Sequence, residues 1–452
     1  MVLRRKIYSR LLEWKKTEGK RALLIEGARR VGKSTIVEEF GKNEYESYIL
    51  IDFSSVSNVV KDAFENYLNS LDTFFMIISA EFGVRLYKRR SLIIFDEVQK
   101  YPKAREAIKH LVKDGRYDYI ETGSLISIKE NVSSILIPSE ERSIKMYPLD
   151  FEEFMIAVGE EALFEYMKNS FLSLTPLERG LHNKAMLLLR QYMIVGGMPM
   201  SVMAFIENGM DFAECDIEKR DILKLWRSDI MKIKSRYRDR VLIIFDQIPS
   251  LLSKHNKKIM FSSISKESEY SDNAEAFFWL ADSMIANECT AVEDPNVGFA
   301  LTEDKSDLKC YLADTGLLIS QAFSENEITD NNLYKEILLD KLSLNEGMFT
   351  ENLVAQMLTA NGHELHFYMN YNKDKHRADI EIDFLLSSES KINHKIIPVE
   401  VKSTENYRYL SLQRFSEKYK SRIGDRYILH PKNLSIKEDG VICLPLYMAC
   451  FL

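Results

Sequence analysis

The chain is 452 residues long, 46% hydrophobic, 29% charged and 11% aromatic, which excludes a disordered polymer and leaves room for roughly two to four domains with their own cores. Against 61 Lys and Arg stand 68 Asp and Glu, a net charge of −7, so any contact with nucleic acid has to come from a local basic surface. The five cysteines form no Cys-x-x-Cys pair, which argues against a zinc ribbon or a disulfide framework and fits a reducing cytoplasm.

The N-terminus, Met1-Val-Leu-Arg-Arg-Lys-Ile-Tyr8, runs straight into a helical pattern with no apolar core, unlike a secretory leader. Short β-type runs then alternate with helical segments: residues 21–26, 48–53, 92–95, 117–121 and 144–147. That alternation predicts an α/β fold, a parallel sheet covered by helices, over residues 1–155. From 156 to 240 the apolar spacing is helical, with a break at Gly196-Gly197-Met198-Pro199. Residues 241–325 suit a small winged helix-turn-helix, and 326–452 a last α/β domain. In that domain a helix over 349–361 precedes β-type runs at 365–369, 380–386 and 396–401 and a helix over 410–418. The apolar stretches near 73–80 and 185–200 are too short, or broken by Arg190, to make the about 20 apolar residues of a membrane span. A cytoplasmic protein with no membrane partner is expected.

Gly27-Ala28-Arg29-Arg30-Val31-Gly32-Lys33-Ser34-Thr35 fits G-x-x-x-x-G-K-[ST] with a strand before it and a helix after. In such a loop the backbone N–H groups and the helix N-terminus form an anion nest, Lys33 reaches the β and γ phosphates, and Ser34 offers a hydroxyl to Mg²⁺. A Gly-rich turn can match the string, but the flanking elements favour phosphate binding. Leu92-Ile-Ile-Phe95-Asp96-Glu97 is an apolar strand ending in two acids at the carboxyl edge of the sheet, where ligands of open α/β folds bind. Downstream of a phosphate-binding loop these read as more than solvated acids: Asp96 would hold Mg²⁺ and Glu97 would polarise the attacking water. Thr122 and Ser124 bring hydroxyls to the same edge, either to sense a γ-phosphate or as part of a small polar turn.

With Phe95-Asp-Glu-Val-Gln99, Thr122-Gly-Ser124, Tyr147-Pro-Leu-Asp-Phe-Glu-Glu-Phe154 and Val195-Gly-Gly-Met-Pro199, the chain resembles the prokaryotic ATPases in which an AAA+-like P-loop domain is joined to a C-terminal domain related to restriction endonucleases. Members often carry a Gly-Arg pair before the Tyr-Pro-Leu segment; here Ile137-Pro-Ser-Glu-Glu-Arg142 has the arginine missing or displaced to Arg142. The resemblance implies ATP and Mg²⁺ as cofactors and DNA as a partner. It sets no oligomeric state.

Over the C-terminal domain the resemblance implies a PD-(D/E)xK pattern: Glu351 in a helix, Asp383 in one strand, and Glu400 with Lys402 two apart, hence on one face, in the next. Two carboxylates beside a lysine suit a metal-dependent phosphodiesterase, the acids holding the cation and the ammonium orienting the nucleophile. Such pairs also occur in ordinary sheets, and a nuclease-like fold can persist as a binding module. The acids are expected to converge on one metal-sized region. Nine basic residues between Lys219 and Arg240 could face DNA, but with Glu218, Asp221, Asp229 and Asp239 among them a solvated, ion-paired helix face is the better reading. An ATP-driven nuclease therefore competes with an ATP-regulated binding or switch protein. A small-molecule kinase fits less well, because an acid directly after Asp96 suits water activation.

Overall fold

The computed structural model describes residues 3–123, 139–233, 237–254, 270–296, 298–325, 334, 336–337, 346–372, 377–387 and 395–452. The chain divides into two compact units, Val2–Tyr147 with Asp282–Met284, and Pro148–Ala281 with Ile285–Leu452.

The N-terminal unit runs α1 (Ile7–Lys15), β1 (Ala22–Glu26), α2 (Lys33–Glu44), β2 (Ser47–Asp52), α3 (Asn58–Asn66), α4 (Leu71–Phe82), β3 (Ser91–Asp96), α5 (Pro102–Asp114), β4 (Asp118–Gly123) and β5 (Glu141–Lys145). All strand pairs are parallel, in the order β2-β3-β4-β1-β5. β1, β3 and β4 are buried along their whole length, which is why they read as unbroken apolar runs rather than as alternating ones. The chain leaves β1, whose neighbours are β4 and β5, and crosses to β2 at the far edge. This opens a crevice at the carboxyl ends of the strands, where the Gly27–Thr35 loop lies. On one side of the sheet an aromatic core gathers Phe53, Phe64, Phe74 and Phe95, with Phe64 5.0 Å from Phe74 and 5.7 Å from Phe95 between ring centres. It fixes β3, and therefore the acids at its end.

The second unit begins with helices: α6 (Phe151–Ala157), α7 (Glu161–Ser173), α8 (Arg179–Val195), α9 (Pro199–Glu207), α10 (Phe212–Met231), α11 (Arg238–Ser253) and α12 (Tyr270–Asp282), of which the end of α12 belongs to the first unit. Asp150 and Glu153 form a reciprocal capping box that starts α6, so the acidic part of the Tyr-Pro-Leu segment is a helix start. Gly196 and Gly197 separate α8 from α9, and each meets a neighbour too closely for a side chain. A Cβ on Gly197 would lie 2.0 Å from the Leu149 carbonyl oxygen. That approach lets Leu149 N–H donate to Gly197 O at 2.6 Å, while Gly197 N–H donates to the buried Asp314 carboxylate at 2.6 Å.

After the helices come β6 (Ala286–Val292), β7 (Glu303–Leu312), α13 (Thr315–Ala322), α14 (Glu346–Ala360), β8 (Leu365–Asn372), β9 (Arg377–Ser387), β10 (Ile396–Val401), α15 (Leu410–Lys418), β11 (Tyr427–His430), β12 (Ser435–Ile436) and β13 (Ile442–Pro445). The strands form one sheet of order β12-β13-β11-β10-β9-β8-β6-β7. β8, β9 and β10 make an antiparallel meander, and β11 joins β10 in parallel after α15. Among the described residues of the expected winged unit over 241–325, β6 and β7 do not stand apart, and 255–269 lie outside the described residues. β6 pairs in parallel with β8, Cys289 opposite Leu365, so both strands of that stretch belong to the same sheet as the C-terminal strands. A β-ladder needs a partner for each buried edge, and β8 supplies it.

Among the described residues no helix is long and apolar enough to cross a membrane. Among the described residues of the basic stretch, Lys224 meets Asp221 at 3.0 Å, Arg227 meets Asp246 at 2.5 Å and Lys232 meets Asp229 at 2.9 Å, while Lys234 and Arg236 lie outside the described residues. Lys219 is buried and donates to the Ile194 carbonyl at 2.8 Å.

Candidate functional site

The loop between β1 and α2 is shaped by its glycines and by one strained arginine. Gly32 (φ +95°) precedes the helix, Arg30 sits at φ +74°, and a Cβ on Gly27 would lie 2.5 Å from the Met146 carbonyl oxygen. Arg5 ties the loop from behind, donating to Val31 O at 2.9 Å and Tyr147 O at 2.7 Å. Ala28 and Val31 are buried; Arg29, Arg30 and Thr35 are exposed.

Lys33 Nζ donates to Gly27 O at 2.9 Å and Ala28 O at 3.0 Å, so the ammonium lies folded over its own loop. Burial lowers its pKa to about 8, against the pull of Glu97 and Asp96 in the other direction. One oxygen of Asp96 accepts hydrogen bonds from two hydroxyls, Ser34 Oγ at 2.7 Å and Thr122 Oγ1. A hydroxyl and a carboxylate converging at the start of a helix are the donor types a hard divalent cation takes, so this set fits Mg²⁺.

Glu97 adopts a left-handed backbone, φ +55° and ψ 43°, which turns the chain out of β3. Its N–H donates to Thr122 Oγ1 at 3.4 Å, and its carboxylate accepts from Gln99 Nε2 at 2.6 Å. The role of Gln99 is not apparent from the sequence, since its partner is fixed only by the turn. Beneath the site Arg105 grips Glu141 through two nitrogens, at 2.8 and 3.1 Å. Burial, then the neighbouring Glu141, pushes Glu121 well above the usual carboxylate range, with Arg105 opposing. Ser124 and Ile137–Pro138 lie outside the described residues; Arg142 is exposed on β5.

In the second unit Asp383 lies on β9, Glu400 on β10 with Lys402 just past its end, and Glu351 on α14. Asp383 and Glu400 stand opposite each other one step beyond the pair Phe384 and Val399, and each acts on the other's charge. Each of the acids also has polar partners of its own. Asp383 Oδ2 accepts from Val401 N–H at 2.8 Å, Glu400 Oε2 lies 2.8 Å from Lys402 Nζ, and Glu351 Oε1 accepts from Tyr311 Oη and, at 3.4 Å, from Lys309 Nζ. Burial raises Glu400 to about 7, with Lys402 holding it down; burial and Glu351 raise Asp383.

Among the described residues no three Asp, Glu, His or Cys side chains are grouped to hold a metal ion. Glu351 acts on the charge of Asp383, and Asp383 on that of Glu400, while each acid also has hydrogen bonds or ion pairs of its own. The sequence analysis missed Lys309 and Tyr311. Their signal was present as a lysine inside the apolar run Leu308–Leu312, where an unpaired charge would be costly to bury.

Three family models match. One described as an AAA domain covers residues 19–155, and two described as domains of unknown function (DUF8612 and DUF4143) cover 186–327 and 346–448. No curated protein matches. Among solved structures, similarity is found to the Aeropyrum pernix ORC2 protein in its ADP form, with 13% identity, 76% of this chain and 96% of that chain covered, and a TM-score of 0.28. The Aeropyrum pernix ORC1 protein in complex with DNA follows with 10% identity, 72% and 93% coverage and a TM-score of 0.26. Cdc6p from Pyrobaculum aerophilum has 11% identity, 75% and 95% coverage and a TM-score of 0.28. The AAA match spans the loop, Asp96 and Glu97 and the whole five-stranded parallel sheet, which supports a P-loop ATPase reading of residues 19–155.

Proposed function

We propose that the chain is an ATP hydrolase whose nucleotide state governs a C-terminal unit that docks DNA without cutting it. The observation that carries the hydrolase reading is the meeting of Ser34 and Thr122 on one oxygen of Asp96, beside Lys33 and Glu97. Backbone N–H groups of Gly27–Thr35 would cradle the phosphates, and Lys33, released from its carbonyl partners, would cap the β and γ groups. Ser34 and Asp96 would hold Mg²⁺, which when bound neutralises charge on the phosphates. Thr122 fixes Asp96. Glu97 accepts a hydrogen bond from the attacking water, with Gln99 setting the carboxylate's direction.

For the C-terminal unit, a helix, an antiparallel meander, a crossing helix and a parallel strand support a nuclease-like architecture. The polar partners that its acids already have favour docking over cleavage. A second reading, Mg²⁺-dependent cutting, draws on Asp383 facing Glu400 with Lys402 beside it. Phosphate release by wild type and Lys33→Ala tests the first half; loss of turnover in the variant is expected, and unchanged turnover overturns it. Plasmid nicking with Mg²⁺ by wild type and Asp383→Ala tests the second. No nicking by either protein supports docking, and nicking lost in the variant establishes cleavage.

A further inference from the structure

Lys309 lies on β7 with its side chain 1% exposed, and a charge so placed must be compensated by neighbours. The neighbours come from two other elements. Glu351 on α14 approaches Nζ through Oε1 at 3.4 Å, and Glu381 on β9 through Oε1 at 3.5 Å. Asp383, two residues after Glu381 and so on the same face of β9, adds a third negative charge that acts on the same ammonium. The Phe367 ring lies under Nζ at 5.0 Å, and Tyr311, two residues further along β7, donates to the same Glu351 oxygen.

A divalent ion among these carboxylates would need their oxygens at about 2.0–2.6 Å and would have to expel the ammonium from the interior. We infer that Lys309 is a built-in cation: its ammonium takes the place between Glu351 and Glu381, on the face of β9 that carries Asp383, that a divalent metal would fill, so that these acids are compensated without Mg²⁺ or Mn²⁺. The inference deepens the docking reading and rests on it only for that unit; it is independent of ATP hydrolysis. A lysine attached to β7 also does what a free ion cannot. It ties the outer strand to the helix and to the meander whatever the metal concentration.

The test uses the full chain without nucleotide. Mn²⁺ binding is counted by electron paramagnetic resonance in wild type and Asp383→Asn, and thermal unfolding is followed for wild type, Lys309→Met and Lys309→Met/Glu351→Gln. Equal Mn²⁺ binding by wild type and Asp383→Asn is expected. Lys309→Met is expected to melt lower by roughly 10 °C, since it leaves buried acids uncompensated, and the double variant to recover most of that loss. If Lys309→Met does not fold, folding of the double variant supports the inference in its place. A bound Mn²⁺ lost in Asp383→Asn overturns it, as does a double variant no more stable than the single one. Asp383-dependent nicking by wild type would instead overturn the docking reading, and Mn²⁺ bound at Asp383 without nicking would sink the inference alone.

Discussion

Gln99 holds Glu97: the amide of one donates to the carboxylate of the other at 2.6 Å, across the turn that leaves β3. A carboxylate that must face a water molecule at the phosphate end of the site gains nothing from being negative if it can rotate away. Gln99→Ala should therefore leave the KM for ATP near its wild-type value and lower kcat about tenfold, while Glu97→Gln, which keeps shape and loses the negative charge that polarises water, should lower kcat by roughly two to four orders of magnitude with ATP still bound. Steady-state phosphate release and equilibrium binding of a fluorescent ATP analogue separate the two effects. A Gln99→Ala enzyme that loses affinity and keeps kcat would show that the amide supports the loop rather than the base.

The buried ammonium of Lys33, with a pKa brought down to about 8, gives the ATP site a pH dependence. Below that pH the lysine is charged and meets the phosphates at once. Above it the free protein has lost the proton, and binding must restore it, because the triphosphate favours the charged form. ATP affinity should fall as pH rises from 8 to 9.5, and binding near pH 9 should take up a proton. Calorimetry in two buffers of different ionisation enthalpy measures that uptake, which should vanish in Lys33→Ala.

Glu400 carries the opposite sense. Its carboxyl, raised from 4.5 to about 7 by burial, stays protonated in the folded chain over a range where the unfolded chain has lost the proton. Stability attributable to this group is full below the unfolded value and declines as pH rises toward 7, a loss of about 3 kcal/mol in all. Glu400→Gln should remove that slope, so the variant gains on wild type between pH 4.5 and 7. Denaturant melts at several pH values check it.

Gly197→Ala should destabilise the helical part of the second unit by more than about 3 kcal/mol, because the new methyl would lie 2.0 Å from the Leu149 carbonyl oxygen, and the hydrogen bonds of Gly197 with Leu149 N–H and with the Asp314 carboxylate would open. Gly209→Ala is the control: a Cβ there meets nothing within 4 Å, although φ is +70°. Its cost should stay near 1 kcal/mol.

What the sequence shows of this molecule is what lies close together along it. Gly27–Thr35 and Asp96-Glu97 are legible because a loop, its flanking strand and its helix are contiguous, and because doubly buried strands such as β1 and β3 leave unbroken apolar runs. The Tyr-Pro-Leu and Gly-Gly segments stand out as strings, but their reason is remote: Gly197 is narrow for the sake of Leu149 and donates to Asp314, 117 positions away. Lys309 and Glu351 are 42 apart, and the pairing of β6 with β8 that brings β7 into the C-terminal sheet leaves no local periodicity to read. Acids assigned to a metal by order along the chain were thus missing the lysine that sits among them.

The left-handed backbone at Glu97 sets evolution and engineering against each other at one position. A glutamate pays about 1 kcal/mol to stand at φ +55°, a conformation that glycine adopts freely and asparagine with less strain. Any selection for heat resistance or expression alone is therefore expected to favour Glu97→Gly or Glu97→Asn, and, on the proposed role of Glu97, the winners should hold ATP and hydrolyse it slowly. Libraries screened only for melting temperature should be enriched in such trapped variants, and an acid kept at position 97 in spite of that pressure is a signature of turnover under selection.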